Sequence, residues 1–217
     1  SNDSIYDYII VTKNEEYYGI LAVRDLLEKT IELEVGYAKH LNPLTGLPGN
    51  LFIEQSLQKL VAKQSPYTIL YVDIDNFKVY NDVYGFENGD RMLRQLGIII
   101  TEVITQFVPP RSFVGHIGGD DFVITLETHN VEAICNEIID RFESSMKDFY
   151  SQEHYLAKEL VANNRHGNAE KYNLASLSIA GVSNKERSFK DIFELTEHSS
   201  RVKHTCKEIW NSCFVIV

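Results

Sequence analysis

The sequence predicts an α/β protein of the α+β kind, in which helices flank one central sheet. Residues 67–73 are mostly apolar and fit a buried central strand. Residues 113–126 hold two β-prone segments joined by two glycines, which predicts a hairpin. Apolar residues recur at helical spacing between and after these strands, and such a pattern is typical of a layered sheet-and-helix domain. The 217 residues suffice for one catalytic-size domain and a short additional segment.

The composition limits the function classes. A net charge of −10 argues against broad binding to a nucleic-acid backbone, but it permits a small phosphorylated substrate held through metal ions. No apolar run approaches the roughly 18 residues of a membrane span, and no signal peptide is evident. The three cysteines lack CxxC spacing, which favours reduced thiols and a cytoplasmic protein.

The first unit is expected over residues 1–41. Residues 8–12 and 17–23 read as a hairpin, and a helix should follow from Arg24, where apolar residues recur at roughly helical spacing. This β-β-α pattern resembles the closing part of a CBS motif, a small ligand-sensing module, and implies an upstream sensory domain in the full-length protein. A plain connector helix explains the segment equally well.

The second unit is expected over residues 42–217. It opens with a loop rich in Pro and Gly, and Asn50 is predicted to cap the next helix. The hairpin at residues 113–126 follows two helices, and residues 150–170 read as a polar excursion of loop and short structure. The other predicted elements are helices over 50–63, 77–82, 88–107, 130–147 and 189–207, and strands over 67–73, 173–182 and 213–217.

Carboxylates cluster at two predicted strand ends. The hairpin reads Gly118-Gly119-Asp120-Asp121-Phe122, and Asp73 and Asp75 end the buried strand upstream. Adjacent carboxylates are costly to hold together unless a cation or solvent neutralises them. A solvated turn is the plain alternative for the hairpin alone, but the second acidic strand end favours a functional site.

With its neighbours in order, this hairpin resembles the GGDEF domain, the family of diguanylate cyclases. The resemblance covers about residues 40–217. It implies a palm-like nucleotidyl cyclase fold with a mostly antiparallel central sheet, and condensation of two GTP into cyclic di-GMP and pyrophosphate. The matching motifs are Pro43–Pro48, Asp73–Lys78 continuing to Asn81, Asp82 and Gly85, then Gly89-Asp90, and Gly118–Phe122.

The resemblance implies two Mg²⁺ (or Mn²⁺) ions per active site. Asp73, Asp120 and the backbone carbonyl of Ile74 match the family's metal ligands, and hard oxygen ligands suit these ions. Asp121 matches the second hairpin carboxylate, with a role in deprotonating the attacking 3′-hydroxyl or holding a metal. For Asp73 the alternatives are a strand-end cap or a salt bridge with a lysine.

The resemblance also implies how GTP is bound. Asn81 and Asp90 match the residues that read the guanine edge, although a helix C-terminus and a first-turn charge explain them without a ligand. The backbone N–H groups of Asn76 and Phe77 suit an anion. The family's two phosphate-binding cations match Lys203 and Lys207, with His204 as an alternative partner and a solvated basic face as the plain reading.

Three departures from the family pattern are visible. The hairpin carries Asp120-Asp121 where the family usually has Glu-Glu or Asp-Glu, and Phe86 stands where His is common. Residues 108–113 have neither Arg nor Asp in register with the family's RxxD motif, which predicts no feedback site there. Three hypotheses follow: a cyclase active as a transient homodimer, a weakened domain that regulates by binding GTP or a cyclic dinucleotide, and a pure interaction module.

Overall fold

The structure, a computed structural model, describes residues 8–63, 65–107, 112–163 and 167–217. The chain divides into two compact units, residues 1–41 and 42–217. Within the described ranges no helix has both the length and the apolar character that crossing a membrane requires.

The first unit is a hairpin followed by a helix. Strands β1 (Tyr8–Lys13) and β2 (Glu16–Ala22) pair antiparallel, and helix α1 spans Val23–Ala38. Asn14 and Glu15 both have positive φ, as the two central residues of a type I′ turn require. None of the α1 residues is buried, and a two-stranded hairpin without a core is marginally stable. Large apolar side chains are exposed on both parts, including those of Ile10, Ile20, Leu27, Ile31 and Leu33.

The second unit is built on a five-stranded sheet in the order β4-β5-β3-β8-β9. All neighbours pair antiparallel except β8 and β9, which are parallel. The predicted fold class, a mostly antiparallel sheet flanked by helices, is therefore confirmed. The strands are β3 (Thr68–Asp75), β4 (Ser112–Gly118), β5 (Asp121–Leu126), β8 (Ser176–Ser183) and β9 (Cys213–Ile216).

Helices cover both faces of this sheet, close to the predicted positions. Asn50 is the first residue of α2 rather than its cap, so that prediction is wrong: Gly49 precedes the helix in extended conformation, and its carbonyl accepts from Ile53 N at 3.0 Å. A 3₁₀ turn over Met146–Asp148 extends the fifth helix. The helices are α2 (Asn50–Val61), α3 (Phe77–Tyr84), α4 (Phe86–Phe107), α5 (Glu132–Ser145) and α7 (Ile192–Lys207).

The polar excursion contains more regular structure than the sequence indicates. It holds helix α6 (Gln152–Ala157) and the antiparallel strands β6 (Glu159–Asn163) and β7 (Ala169–Asn173). Asn173 therefore ends β7, and the strand predicted from this residue begins at Ser176.

The central strand β3 separates two apolar cores. Leu70, Val72 and Ile74 pack in the core that contains α4 and α5, whereas Ile69 and Tyr71 pack in the core that contains α2 and α7. Successive side chains on a strand point to opposite faces, so Asp73 lies on the α7 face. This alternation decides which helix meets the first acidic residue.

Candidate active site

The acidic residues lie where β3 and β5 end side by side. The register places Val72 opposite Phe122, so Asp73 and Asp121 lie at the same end of the sheet. Gly118 and Gly119 both have positive φ, 145° and 58°, and glycine adopts these angles without strain. The two glycines thus form the predicted tight hairpin and bring Asp120 to this end.

Asp73 and Asp120 form the centre of the site. The Asp73 side chain is only 8% exposed, and its Oδ1 lies 2.8 Å from Lys207 Nζ. Burial raises the pKa of Asp120, and the nearby negative charge of Asp73 raises it further. Burial lowers the pKa of Lys207, but the pairing with Asp73 and the charges of Asp75 and Asp120 reverse this, so the pKa is raised overall. A single ammonium therefore compensates an acidic cluster.

This cluster fits a hard divalent cation. Partial burial is the main cause of the raised pKa of Asp120, and a divalent ion would favour its charged form. Within the described residues no three His, Cys, Asp or Glu side chains converge, so side chains alone offer an ion at most the two carboxylates. Mg²⁺ is commonly bound by one or two carboxylates plus substrate phosphates and water.

Asp121 is held separately from this pair. Its carboxylate forms an ion pair with Lys203, whose ammonium also lies 5.5 Å from the centroid of the Tyr71 ring. Lys203 and Lys207 stand one turn apart on α7, and each contacts a different carboxylate of the site. His204, the alternative second cation, is directed elsewhere and approaches Glu208 at 3.9 Å.

Asp120 and Lys207 line an open cavity of about 410 Å³. Asn76, which precedes α3 in the left-handed conformation (φ 58°), turns the chain from β3 into this helix at the cavity wall. Asn173 and the exposed Trp210 also line the cavity. Five predicted site residues line the cavity together: Ile74, Asn76, Phe77, Asp120 and Lys207.

Asn81 and Asp90 are not among the residues that line this cavity. Asn81 Oδ1 is buried and has no hydrogen-bond partner among the described residues. Gly89 on α4 makes room for this carboxamide, because a Cβ at Gly89 would lie 1.8 Å from Asn81 Oδ1. Asp90 follows Gly89 and is half-buried. The unpaired amide oxygen therefore lies against Gly89 of α4, and Asp90 is the next residue of that helix.

His116 contacts the backbone of the hairpin, a role that the sequence did not indicate. Its Nε2 lies 2.9 Å from the Gly119 carbonyl, and its Nδ1 lies 3.0 Å from Thr45 Oγ1. Its ring stacks on Phe122, with the ring centroids 4.1 Å apart. Burial lowers the pKa of His116, which favours the neutral ring. A lone His two residues before Gly-Gly carries no sequence signal for this contact, since Thr45 is 71 residues away.

Asp75 was in the acidic motif but received no role. Its carboxylate accepts hydrogen bonds from Ser176 and Ser178 at 3.1 and 2.8 Å, and burial raises its pKa. Phe86, one of the departures from the family pattern, is 78% exposed. Residues 108–111, where the RxxD motif would fall, lie outside the described residues.

Known proteins resemble this chain over most of its second unit. The family profile for "Diguanylate cyclase, GGDEF domain" matches residues 39–195, so Lys203 and Lys207 lie beyond the match. Diguanylate cyclase DgcS of Shewanella oneidensis is 33% identical over 125 residues, which cover 55% of this chain and 41% of that protein. Signaling protein YkoW of Bacillus subtilis is 27% identical over 68% of this chain and 19% of its own length. The chain thus spans less than half the length of these relatives.

Solved structures share the fold. The coiled coil and GGDEF domain of DgcB from Caulobacter crescentus, solved with c-di-GMP, aligns with a TM-score of 0.62 at 18% sequence identity, covering 90% of this chain and 98% of that one. At this identity the likeness shows the fold alone, whereas the profile match covers well over half of the sequence. The chain belongs to the GGDEF domain family.

Proposed function

We propose that the second unit is a diguanylate cyclase domain, which condenses two GTP into cyclic di-GMP and two pyrophosphates. The observation that carries this proposal is that Asp120 and Lys207 line one cavity together with the start of α3, while Lys207 also pairs with the buried Asp73. The relatives named as diguanylate cyclases support the same chemistry.

The acidic pair would hold the divalent ions. Asp73, Asp120 and the Ile74 carbonyl supply protein oxygens, and triphosphate oxygens and water would complete the coordination. Bound Mg²⁺ or Mn²⁺, two per site, would acidify the attacking 3′-hydroxyl and stabilise charge on the leaving pyrophosphate. With ions held by Asp73 and Asp120, Lys207 would be free to contact phosphate, and Lys203 could do so if it left Asp121. The backbone N–H groups of Asn76 and Phe77 face the same anion.

The guanine base would bind at Asn81 and Asp90. The unpaired Oδ1 of Asn81 can accept from a guanine N–H, and Asp90 can accept from the others. An adenine presents a different pattern of donors and acceptors, so it would leave these groups unpaired. The site therefore favours GTP over ATP.

Catalysis would require two copies of the chain, because each copy binds one of the two GTP molecules that are joined. The exposed apolar side chains of the first unit offer a surface for such pairing. Specific activity should then rise with protein concentration, as expected when the active species is a transient homodimer.

The test is turnover. Purified protein at several concentrations is incubated with GTP and Mg²⁺ or Mn²⁺, and pyrophosphate and cyclic dinucleotide are quantified, with ATP as the substrate control. Product that forms only from GTP and grows faster than linearly with protein supports the proposal. No product at the highest concentration rules out a cyclase.

A second candidate function rests on Asp121, whose carboxylate is engaged by Lys203. If this ion pair persists when GTP binds, the domain would bind the nucleotide without turning it over and would regulate an attached domain. Calorimetric binding of GTP or cyclic di-GMP without pyrophosphate release would support this candidate. If the protein neither binds nor turns over these nucleotides, the remaining hypothesis is a pure interaction module.

A further inference from the structure

The segment that begins the polar excursion, residues 149–157 (hereafter the α6 segment), packs against the helix that carries Asn81. Tyr80 of α3 donates to the Phe149 carbonyl at 3.0 Å. At the end of α3, Tyr84 Oη accepts from Ser151 N at 3.0 Å and lies 2.6 Å from His154 Nδ1. Two tyrosines one turn apart are therefore bound by the same short segment.

Aromatic packing strengthens this attachment. The rings of Tyr80 and Tyr84 stack with centroids 4.9 Å apart, and Tyr150 meets both edge-on at 5.2 and 5.5 Å. Edge-on and stacked arrangements of this kind add stability beyond the area they bury. Tyr150 is itself fixed to the sheet, because its hydroxyl accepts from Ala175 N at 2.8 Å, just before β8.

The two faces of α3 have different partners. Asn76, Tyr80 and Tyr84 follow at intervals of four residues and so share one face. At the start of this face, Asn76 Nδ2 reaches the Asn173 carbonyl at 3.4 Å. Phe77 and Asn81 form the neighbouring face, which contacts Gly89 of α4. The α6 segment thus holds α3 from one side while Asn81 faces α4 from another.

We propose that Tyr84 and His154 are positioning residues, which lock α3 to the α6 segment and so fix the Asn81 carboxamide for the purine base of the substrate. The inference rests on the proposed function for the identity of that base. The lock sets how well the base is bound and distinguished, and it does not touch the reacting phosphate.

The principal test is Tyr84→Phe. The ring contacts are kept, but the hydroxyl that serves both Ser151 and His154 is removed. Losing such hydrogen bonds should raise KM for GTP about tenfold. We expect kcat to change by less than about twofold and the preference for GTP over ATP to shrink by a similar factor of about ten. His154→Asn, which retains an acceptor in place of Nδ1, should fall between this variant and the wild type.

Tyr172→Phe is the matched control. Its hydroxyl donates to Glu170 at 3.0 Å within β7, so the control removes a tyrosine hydroxyl whose hydrogen bond does not involve α3. The control should keep the wild-type KM and base preference. Both variants are compared by thermal unfolding, since a merely structural role for Tyr84 would lower Tm without altering KM or base preference.

Amide hydrogen exchange tests the lock without nucleotide. In Tyr84→Phe the amides of α3 should exchange severalfold faster, while those of α4 stay at the wild-type rate. Unchanged exchange in α3, or an unchanged KM and base preference, would overturn the proposal. If the wild type proves to bind GTP without turnover, the cyclase fails, but about tenfold weaker GTP binding by Tyr84→Phe, measured by calorimetry, would still support the lock.

Discussion

The two halves of the candidate site satisfy their polar groups differently. At the acidic half, Asp73 pairs with Lys207 and Asp121 pairs with Lys203, whereas Asp120 has no ion pair among the described residues. At the amide half, the buried Oδ1 of Asn81 has no hydrogen-bond partner among the described residues, and Gly89 only leaves space for it.

The difference follows from what each group costs in the absence of a ligand. An uncompensated buried charge costs far more than an unpaired neutral amide. The buried Asp73 carboxylate therefore needs a counter-charge when no ligand is bound, whereas the Asn81 amide can remain without a partner. A ligand at the acidic half must therefore displace the lysines, and positive ions can do this. At the amide half a ligand merely adds a missing donor. The halves should respond differently to substitution.

The largest effect is expected from Asp73→Asn at the acidic half. Asparagine keeps the shape but removes the charge that would hold a divalent ion, so turnover should fall by at least about a thousandfold. Mn²⁺ binding, followed by the paramagnetic signal of the free ion, should weaken in parallel. Asp140→Asn, at an exposed position of α5, is the matched control and should behave as the wild type. Equal turnover in both variants would show that the acidic half is not the metal site.

Gly89→Ala tests the amide half. The added methyl would lie 1.8 Å from Asn81 Oδ1, so the carboxamide must turn away. Loss of its bond to the base should weaken GTP binding about tenfold or more, with Mn²⁺ affinity unchanged.

Gly97→Ala controls for the loss of a buried helical glycine. On the same helix its methyl would meet Leu47 at an ordinary 3.4 Å, so nucleotide binding should be unaffected while stability rises by up to about 1 kcal/mol. Equal GTP affinity in the two glycine variants would refute a role for Asn81 in base recognition.

Asp121→Glu sharpens the comparison within the acidic half. The extra methylene advances the carboxylate by roughly 1.5 Å and lets it leave Lys203 for a bound ion or hydroxyl. If the short side chain limits turnover, kcat should increase by about three- to tenfold, measured as pyrophosphate release under saturating GTP. Asp140→Glu should give no increase. A lower kcat for Asp121→Glu would indicate that the pairing with Lys203 is part of the active arrangement.

Much of the fold and part of the site could be predicted from sequence because the signals are local. The apolar run of β3, the Gly-Gly hairpin and the helical periodicity of α4 and α7 each depend on neighbouring residues. Alternation along β3 also assigns Asp73 to the face opposite Val72. The family match ends at residue 195, so Lys203 and Lys207 depended on their spacing alone.

The rest depends on contacts between distant segments. Nothing near Asp121 in sequence indicates that Lys203, 82 residues later, neutralises it. Only six residues of the α6 segment are helical, so periodicity could not reveal that its aromatic residues hold α3. The contact from His116 to Thr45 is equally non-local.

The smallest expected effect concerns His116, which braces the acidic hairpin. Because burial lowers its pKa in the folded protein, the unfolded chain takes up a proton near pH 6.5 while the native state remains neutral. Its contribution to stability is therefore present above about pH 6.5 and is lost as pH falls toward the lowered pKa. Between pH 7.5 and 5.5 the Tm of the wild type should fall by about 2 °C more than that of His116→Gln. His204→Gln, which alters a ring that is 80% exposed, should follow the wild type. If the Tm of all three proteins falls in parallel with pH, the hairpin tolerates a charged His116 ring. The acidic half would then be stabilised by its ion pairs alone.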